Sequence, residues 1–132
     1  MSGPMPWAEY GTISRDRGCL AMEVFACLTL PARDGPPPKD LLDAHLAYQK
    51  QLEADGKLFL AGPLSDQEGA VMSGSGLIVY MASSIEEARA LADSDPMHRE
   101  GQRDYSMQAW RLNEGSPMAG LRLSDRRFEL RR

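Results

Sequence analysis

Two histidines occur in the chain, His45 and His98, and imidazole is the side chain best suited to take and return a proton near neutral pH. His45 falls among Leu41, Leu42 and Leu52 on a helical wheel of about 100° per residue, so it faces the apolar side of its helix and not solvent. Two readings follow. One is a core histidine whose ring nitrogens are satisfied by hydrogen bonds. The other is a general acid or base at the floor of a pocket. Asp95, in the run Ser94-Asp95-Pro96-Met97-His98, also has two readings. Asp followed by Pro is a good N-cap and first-turn pair for a short helix. Alternatively Asp95 is the carboxylate that orients His45 and stabilises its cation. The two roles are expected to coexist only if the carboxylate is free of backbone amides.

The other reactive residue types point to less. His98 follows a helix end and reads as a surface histidine. No Cys or His pair has metal-ligand spacing, so no metal is expected. Cys27 lies mid-strand, where a cysteine is ordinarily a small buried apolar residue. Ser73-Gly74-Ser75-Gly76 lacks the Gly-Lys-Ser/Thr ending of a phosphate loop and reads as a flexible hairpin tip. Met97 and Met107 are core fillers or apolar pocket lining.

These residues must be held by a small set of elements. Met22 to Leu30 alternates as a strand and stops at Pro31. A helix is predicted over 38–55, closed by Gly56. Lys57 to Ala61 is a short strand ended by Gly62-Pro63, and a Gly-rich connection over 65–76 leads to the strand Leu77 to Ala82. Ser84-Ile85-Glu86-Glu87 opens a helix that ends before Asp95-Pro96. Tyr105 to Leu112 is a fourth strand. The order is strand, helix, strand, strand, helix, strand, an α+β chain of the ferredoxin-like βαββαβ kind with an antiparallel sheet. The core runs over 20–112 of a single domain spanning 1–132. Residues 1–19 are an N-terminal extension. Residues 113–132 are a C-terminal strand or arm extension, with Leu121/Leu123 and Phe128/Leu130 flanking a turn and several arginines.

Two helices cover one face of a four-stranded sheet. The strands are nevertheless apolar on both faces: Phe25 and Cys27 oppose Val24 and Leu28, and Trp110 and Leu112 oppose Tyr105 and Met107. A bare apolar sheet face is a large exposed patch, and a second subunit packed sheet to sheet covers it. A homodimer is therefore expected. The N-terminus has no basic start or apolar run of a signal peptide, no stretch is apolar enough to span a membrane, and Cys19 and Cys27 suit reduced thiols. The expectation is a cytoplasmic protein. A net charge of −4 argues against nucleic acid as a partner.

The stretch HLAYQKQLEADGKLFLAGPLSD, followed by GLIVYMASSIEEARALADSDPM and a strand ending in Trp110, resembles the YciI-like (YCII-related) family over residues 22–112. The shared pattern is an inward histidine, Gly-x-Leu, Gly-Pro after the second strand, a Ser-Ile-Glu-Glu-Ala helix start, and Asp-Pro plus an apolar residue. The resemblance implies a ferredoxin-like subunit pairing into a dimeric α+β barrel, with a pocket between helices and sheet. It implies His45 and Asp95 as the active pair, and Gly62 and Pro63 as a strand-end turn in the pocket wall. Related proteins act on small cyclic or chlorinated aromatic compounds by elimination or isomerisation. The functional expectation is a cofactor-independent acid–base enzyme acting on a small-molecule substrate, with Tyr48, Pro96, Met97 and Met107 completing the substrate wall. The alternative is a non-catalytic ligand-binding or interaction module on the same dimer.

Overall fold

The computed structural model describes residues 3–115, 119–122 and 127–129. In chain order the elements are α1 (Trp7–Asp16), β1 (Met22–Pro31), α2 (Lys39–Ala54), β2 (Leu58–Ser65), β3 (Met72–Tyr80), α3 (Ile85–Asp93), α4 (Pro96–Arg99), β4 (Arg103–Leu112), β5 (Ala119–Arg122) and β6 (Arg127–Glu129). They fall into two compact units, residues 23–110 and residues 1–22 with 111–132.

The larger unit is the ferredoxin-like α+β fold. Its sheet has the order β2-β3-β1-β4, with β3 antiparallel to both β1 and β2. Phe25 and Cys27 of β1 and Ile78 and Tyr80 of β3 point to the helices, where they bury against Leu52 of α2 and Ala88 and Ala92 of α3. The alanines let α3 approach the sheet closely. Tyr105, Met107 and Ala109 of β4 extend the same layer.

Local chemistry sets the helix limits. Gly56 adopts φ 74°, and Lys57 N–H donates to Leu52 O at 2.8 Å while Gly56 N–H donates to Glu53 O at 3.2 Å. That is the paired closure a glycine after the helix end permits. The Ser84 hydroxyl accepts from Glu87 N–H at 3.1 Å and opens α3.

Several expectations are corrected. Gly62-Pro63 does not end β2. The strand runs on to Ser65, with Gly62 opposite Leu77 and Pro63 opposite Gly76. Proline is tolerated there because β2 is an edge strand. Ser73 to Gly76 is not a flexible tip but the start of β3. A Cβ on Gly76 would lie 3.2 Å from Thr29 Cγ2 and 3.3 Å from Gly62 O, so Gly76 serves close packing between strands. The turn shrinks to residues 66–71, where the Asp66 carboxylate accepts from Ala70 N–H at 2.9 Å. The amides hold that carboxyl below its usual range.

In the smaller unit, residues 7–16 form a helix where the sequence pattern suggests only an extension. Its buried positions are Gly11 and Ser14, so it has no apolar stripe to betray it. The Arg111 guanidinium lies over the Trp7 ring at 4.4 Å and donates to Trp7 O at 3.1 Å. A Cβ on Gly11 would come within 2.7 Å of that guanidinium. β5 and β6 pair antiparallel, as the tail pattern suggested, while the turn at 123–126 lies outside the described residues.

Candidate acid–base site

The site is built from α2 and α4. The apolar stripe of α2 turns His45 inward until it is 17% exposed, and Asp95 meets it from the N-cap of α4, wholly buried. His45 Nδ1 lies 2.9 Å from each Asp95 oxygen. A carboxylate accepts, so Nδ1 carries the hydrogen and the neutral ring keeps its lone pair on Nε2. Asp95 Oδ1 also accepts from Met97 N–H at 3.0 Å. The cap contact and the contact to His45 therefore coexist in one side chain, although the carboxylate is not free of backbone amides as the sequence reading requires. A carboxylate has about four acceptor positions, enough for both.

The surroundings are mostly sealed. Tyr48, one turn along α2 from His45, donates its hydroxyl to Leu91 O at 2.7 Å and ties α2 to α3. Burial raises the Tyr48 phenol above its ordinary value, and the Asp95 charge adds to this. Cys27 and Tyr80 lie within the same field. Burial first, then the Asp95 charge, pushes the Cys27 thiol up to about 12, so it stays a thiol and is no nucleophile. Tyr80 is raised further, by burial first and then by its ionisable neighbours Cys27 and Asp95. Its hydroxyl is near enough to Cys27 to lower that thiol slightly, yet it makes no hydrogen bond of ordinary geometry. The Gln49 Oε1 atom, four residues beyond His45, is likewise buried without a partner.

A second network was missed by sequence reading. His98 is not a surface histidine: it is half-buried, with Nδ1 2.8 Å from Ala92 O and Nε2 2.9 Å from Thr29 Oγ1. Arg103 Nε donates to Thr29 Oγ1 at 2.8 Å, and a second guanidinium nitrogen donates to Thr29 O and Gly74 O at 3.1 and 2.6 Å. The available signal was slight: a threonine at a buried strand position and an arginine opening β4.

The remaining predicted residues separate. Pro96 and Met97 are buried directly behind Asp95, and Met107 packs against the core. Gly62 and Pro63 sit exposed on the edge strand and not in a turn. A cavity of about 460 Å³ is lined by Asp93, His98, Arg99, Arg103, Asp104 and Tyr105, without His45 or Asp95. Among the described residues no three His, Cys, Asp or Glu side chains gather as a metal site. No helix among them is long and apolar enough to cross a membrane.

The YCII-related domain model matches residues 24–111. The chain belongs to the YCII-related family. The match spans the sheet, α2, α3 and α4, and so contains both His45 and Asp95. A relative named uncharacterized protein YjpA, from Bacillus subtilis (strain 168), is 26% identical over 91 residues, covering 69% of this chain and 100% of YjpA. A solved structure is also similar: 5-chloro-2-hydroxyhydroquinone dehydrochlorinase (TftG) from Burkholderia phenoliruptrix AC1100, in complex with 2,5-dihydroxybenzoquinone. It is 22% identical, with a TM-score of 0.45, covering 69% of this chain and 95% of that one.

Proposed function

We propose that this protein is a cofactor-independent acid–base enzyme acting on a small cyclic or aromatic molecule by elimination or isomerisation. The observation that carries the reading is the His45–Asp95 pair. Both carboxylate oxygens lie 2.9 Å from Nδ1, which leaves Nε2 as the basic atom. In the proposed reaction Nε2 takes the proton from an activated C–H of the substrate. The imidazolium that forms is stabilised by the Asp95 carboxylate, which keeps its own charge. The same nitrogen then returns the proton to another carbon in an isomerisation, or to the departing group in an elimination.

One acid–base group supplies about 10²–10⁴-fold acceleration. That suits a C–H already acidified by a neighbouring carbonyl or enol. Tyr48, Pro96, Met97 and Met107 are the proposed walls. Gly62 and Pro63 are set aside, because they lie exposed on an edge strand. The working unit is proposed to be a homodimer formed through the sheet face opposite α2 and α3, where Leu60 is 49% and Trp110 is 44% exposed.

The test is ¹H NMR in D₂O of a panel of small cyclic enols, lactones and phenols, watching C–H exchange, isomerisation or elimination. Wild type is expected to act on at least one member, and folded His45→Ala on none. A folded His45→Ala that keeps the wild-type rate would exclude His45 as the base. A second reading, a binding module without catalysis, is favoured by one observation: the cavity of about 460 Å³ is lined without His45 or Asp95. Saturable binding of a panel member with no conversion is its signature.

A further inference from the structure

α4 is only four residues long, too short to hold its own position by internal hydrogen bonds. Yet its N-cap is Asp95, whose carboxylate holds His45. With a neutral His98 ring, the direction of each hydrogen bond around it follows. A carbonyl only accepts, so His98 Nδ1 donates to Ala92 O at 2.8 Å. Nε2 is then an acceptor, and the Thr29 hydroxyl, 2.9 Å away, gives it its one hydrogen. The Thr29 oxygen is left to accept from Arg103 Nε–H at 2.8 Å. The result is a one-way chain from β4 through β1 to α4 and on to the end of α3. Arg103 is itself braced on Thr29 O and Gly74 O.

This chain grips α4 three residues after Asp95, on the turn whose His98 and Arg99 amides both donate to Asp95 O, at 3.0 and 2.8 Å. A shift of His98 therefore moves Asp95 with it. Arg103 also bears on the site through charge. Burial lowers the guanidinium from its ordinary value, and the negative charge of Asp95 opposes that.

We infer that Thr29, His98 and Arg103 are positioning residues for the His45–Asp95 pair: they fix α4 so that the Asp95 carboxylate meets His45 Nδ1, without touching substrate themselves. The inference rests on the acid–base reading of that pair.

The test is the Nδ1–H signal of His45 in ¹H–¹⁵N spectra of the full-length protein, which reports the hydrogen bond to Asp95. Thr29→Val keeps the buried volume and removes the hydroxyl, while Thr29→Ser keeps it. The expected result is a displaced or exchange-broadened His45 Nδ1–H in folded Thr29→Val, restored in Thr29→Ser. On any panel compound that wild type converts, Thr29→Val should lose about 10- to 100-fold in kcat with KM little changed, as expected for a misplaced catalytic group. An unmoved signal in folded Thr29→Val overturns the inference. If Thr29→Val does not fold, Arg103→Lys serves the same purpose, because an ammonium cannot replace the planar guanidinium's three bonds. A moved signal then supports the inference and an unmoved one overturns it. If wild type itself lacks a protonated Nδ1, the pair fails, and the acid–base reading with it. That outcome is distinct from an intact pair that ignores Thr29 and Arg103.

Discussion

Asp95 meets His45 Nδ1 with both carboxylate oxygens at 2.9 Å while its Oδ1 also accepts from Met97 N–H at 3.0 Å. One buried side chain thus caps the start of α4 and holds the His45 ring. The two functions can be separated by substitution. Asp95→Asn keeps an acceptor for Met97 N–H and for His45 but removes the charge that stabilises the imidazolium. It should cost little stability and lower any turnover by about 10²-fold or more, judged from the usual worth of a positioned acid–base group. Asp95→Ala loses the cap and leaves Nδ1–H unpaired, which should cost about 1–3 kcal/mol. Urea unfolding of the two variants checks this. Equal destabilisation would mean that the cap carries no weight.

Tyr80 is the reverse case, a buried hydroxyl that makes no hydrogen bond of ordinary geometry. An unsatisfied buried polar group costs about 1–3 kcal/mol. Tyr80→Phe removes it and keeps the ring that fills the core between Phe25, Cys27 and the helices. The variant should be as stable as wild type or more stable, by up to about 1 kcal/mol. A clear loss of stability in chemical denaturation would show that the hydroxyl has a partner in solution.

Cys27 predicts an alkaline weakness. Its thiol is held up to about 12 by burial and by the charge of Asp95, against 9.0 for the free group. The unfolded chain therefore sheds this proton first. The contribution to stability is complete below pH 9.0 and is lost as pH rises through about 12. The slope in that window is at most about 1.4 kcal/mol per pH unit. Tyr105, raised to about 12 by burial and by its hydrogen bond to Asp93, acts in the same direction. Urea midpoints measured from pH 8 upward should fall, and less steeply for Cys27→Ala. In the native protein at neutral pH a thiol reagent should label Cys19 before Cys27, which reacts only on unfolding. Rapid native labelling of Cys27 would contradict its burial.

The sheet face opposite α2 and α3 supplies the prediction on assembly. Leu28, Leu30, Leu60 and Trp110 are all exposed there. Sheet-to-sheet pairing would cover them. Wild type should sediment as a dimer, and Trp110→Asp as a folded monomer. A wild-type monomer at micromolar concentration would remove the homodimer from the proposed function.

The sequence alone carried the strand and helix order of the larger unit and singled out His45 and Asp95 as a candidate pair. Hydrophobic period, the Gly56 stop, the Ser84 cap and the Asp95-Pro96 pair are local signals, each decided by a few neighbouring residues. His45 could be placed on the inner face for the same reason, since a helical wheel needs only local spacing. Asp95 was legible both as a cap and as a partner, but only the tertiary structure showed that one carboxylate does both. The Arg103–Thr29–His98 chain was hidden because it joins residues 69 and 74 apart in sequence, whose meeting depends on strand order and not on any local pattern. The course of β2 through Gly62-Pro63 was hidden for a related reason: proline reads as a stop unless the strand is known to lie at an edge, and edge position is a property of the sheet. The helix at residues 7–16 escaped because glycine and serine form its buried face, so burial there follows from close approach and leaves no mark in hydropathy.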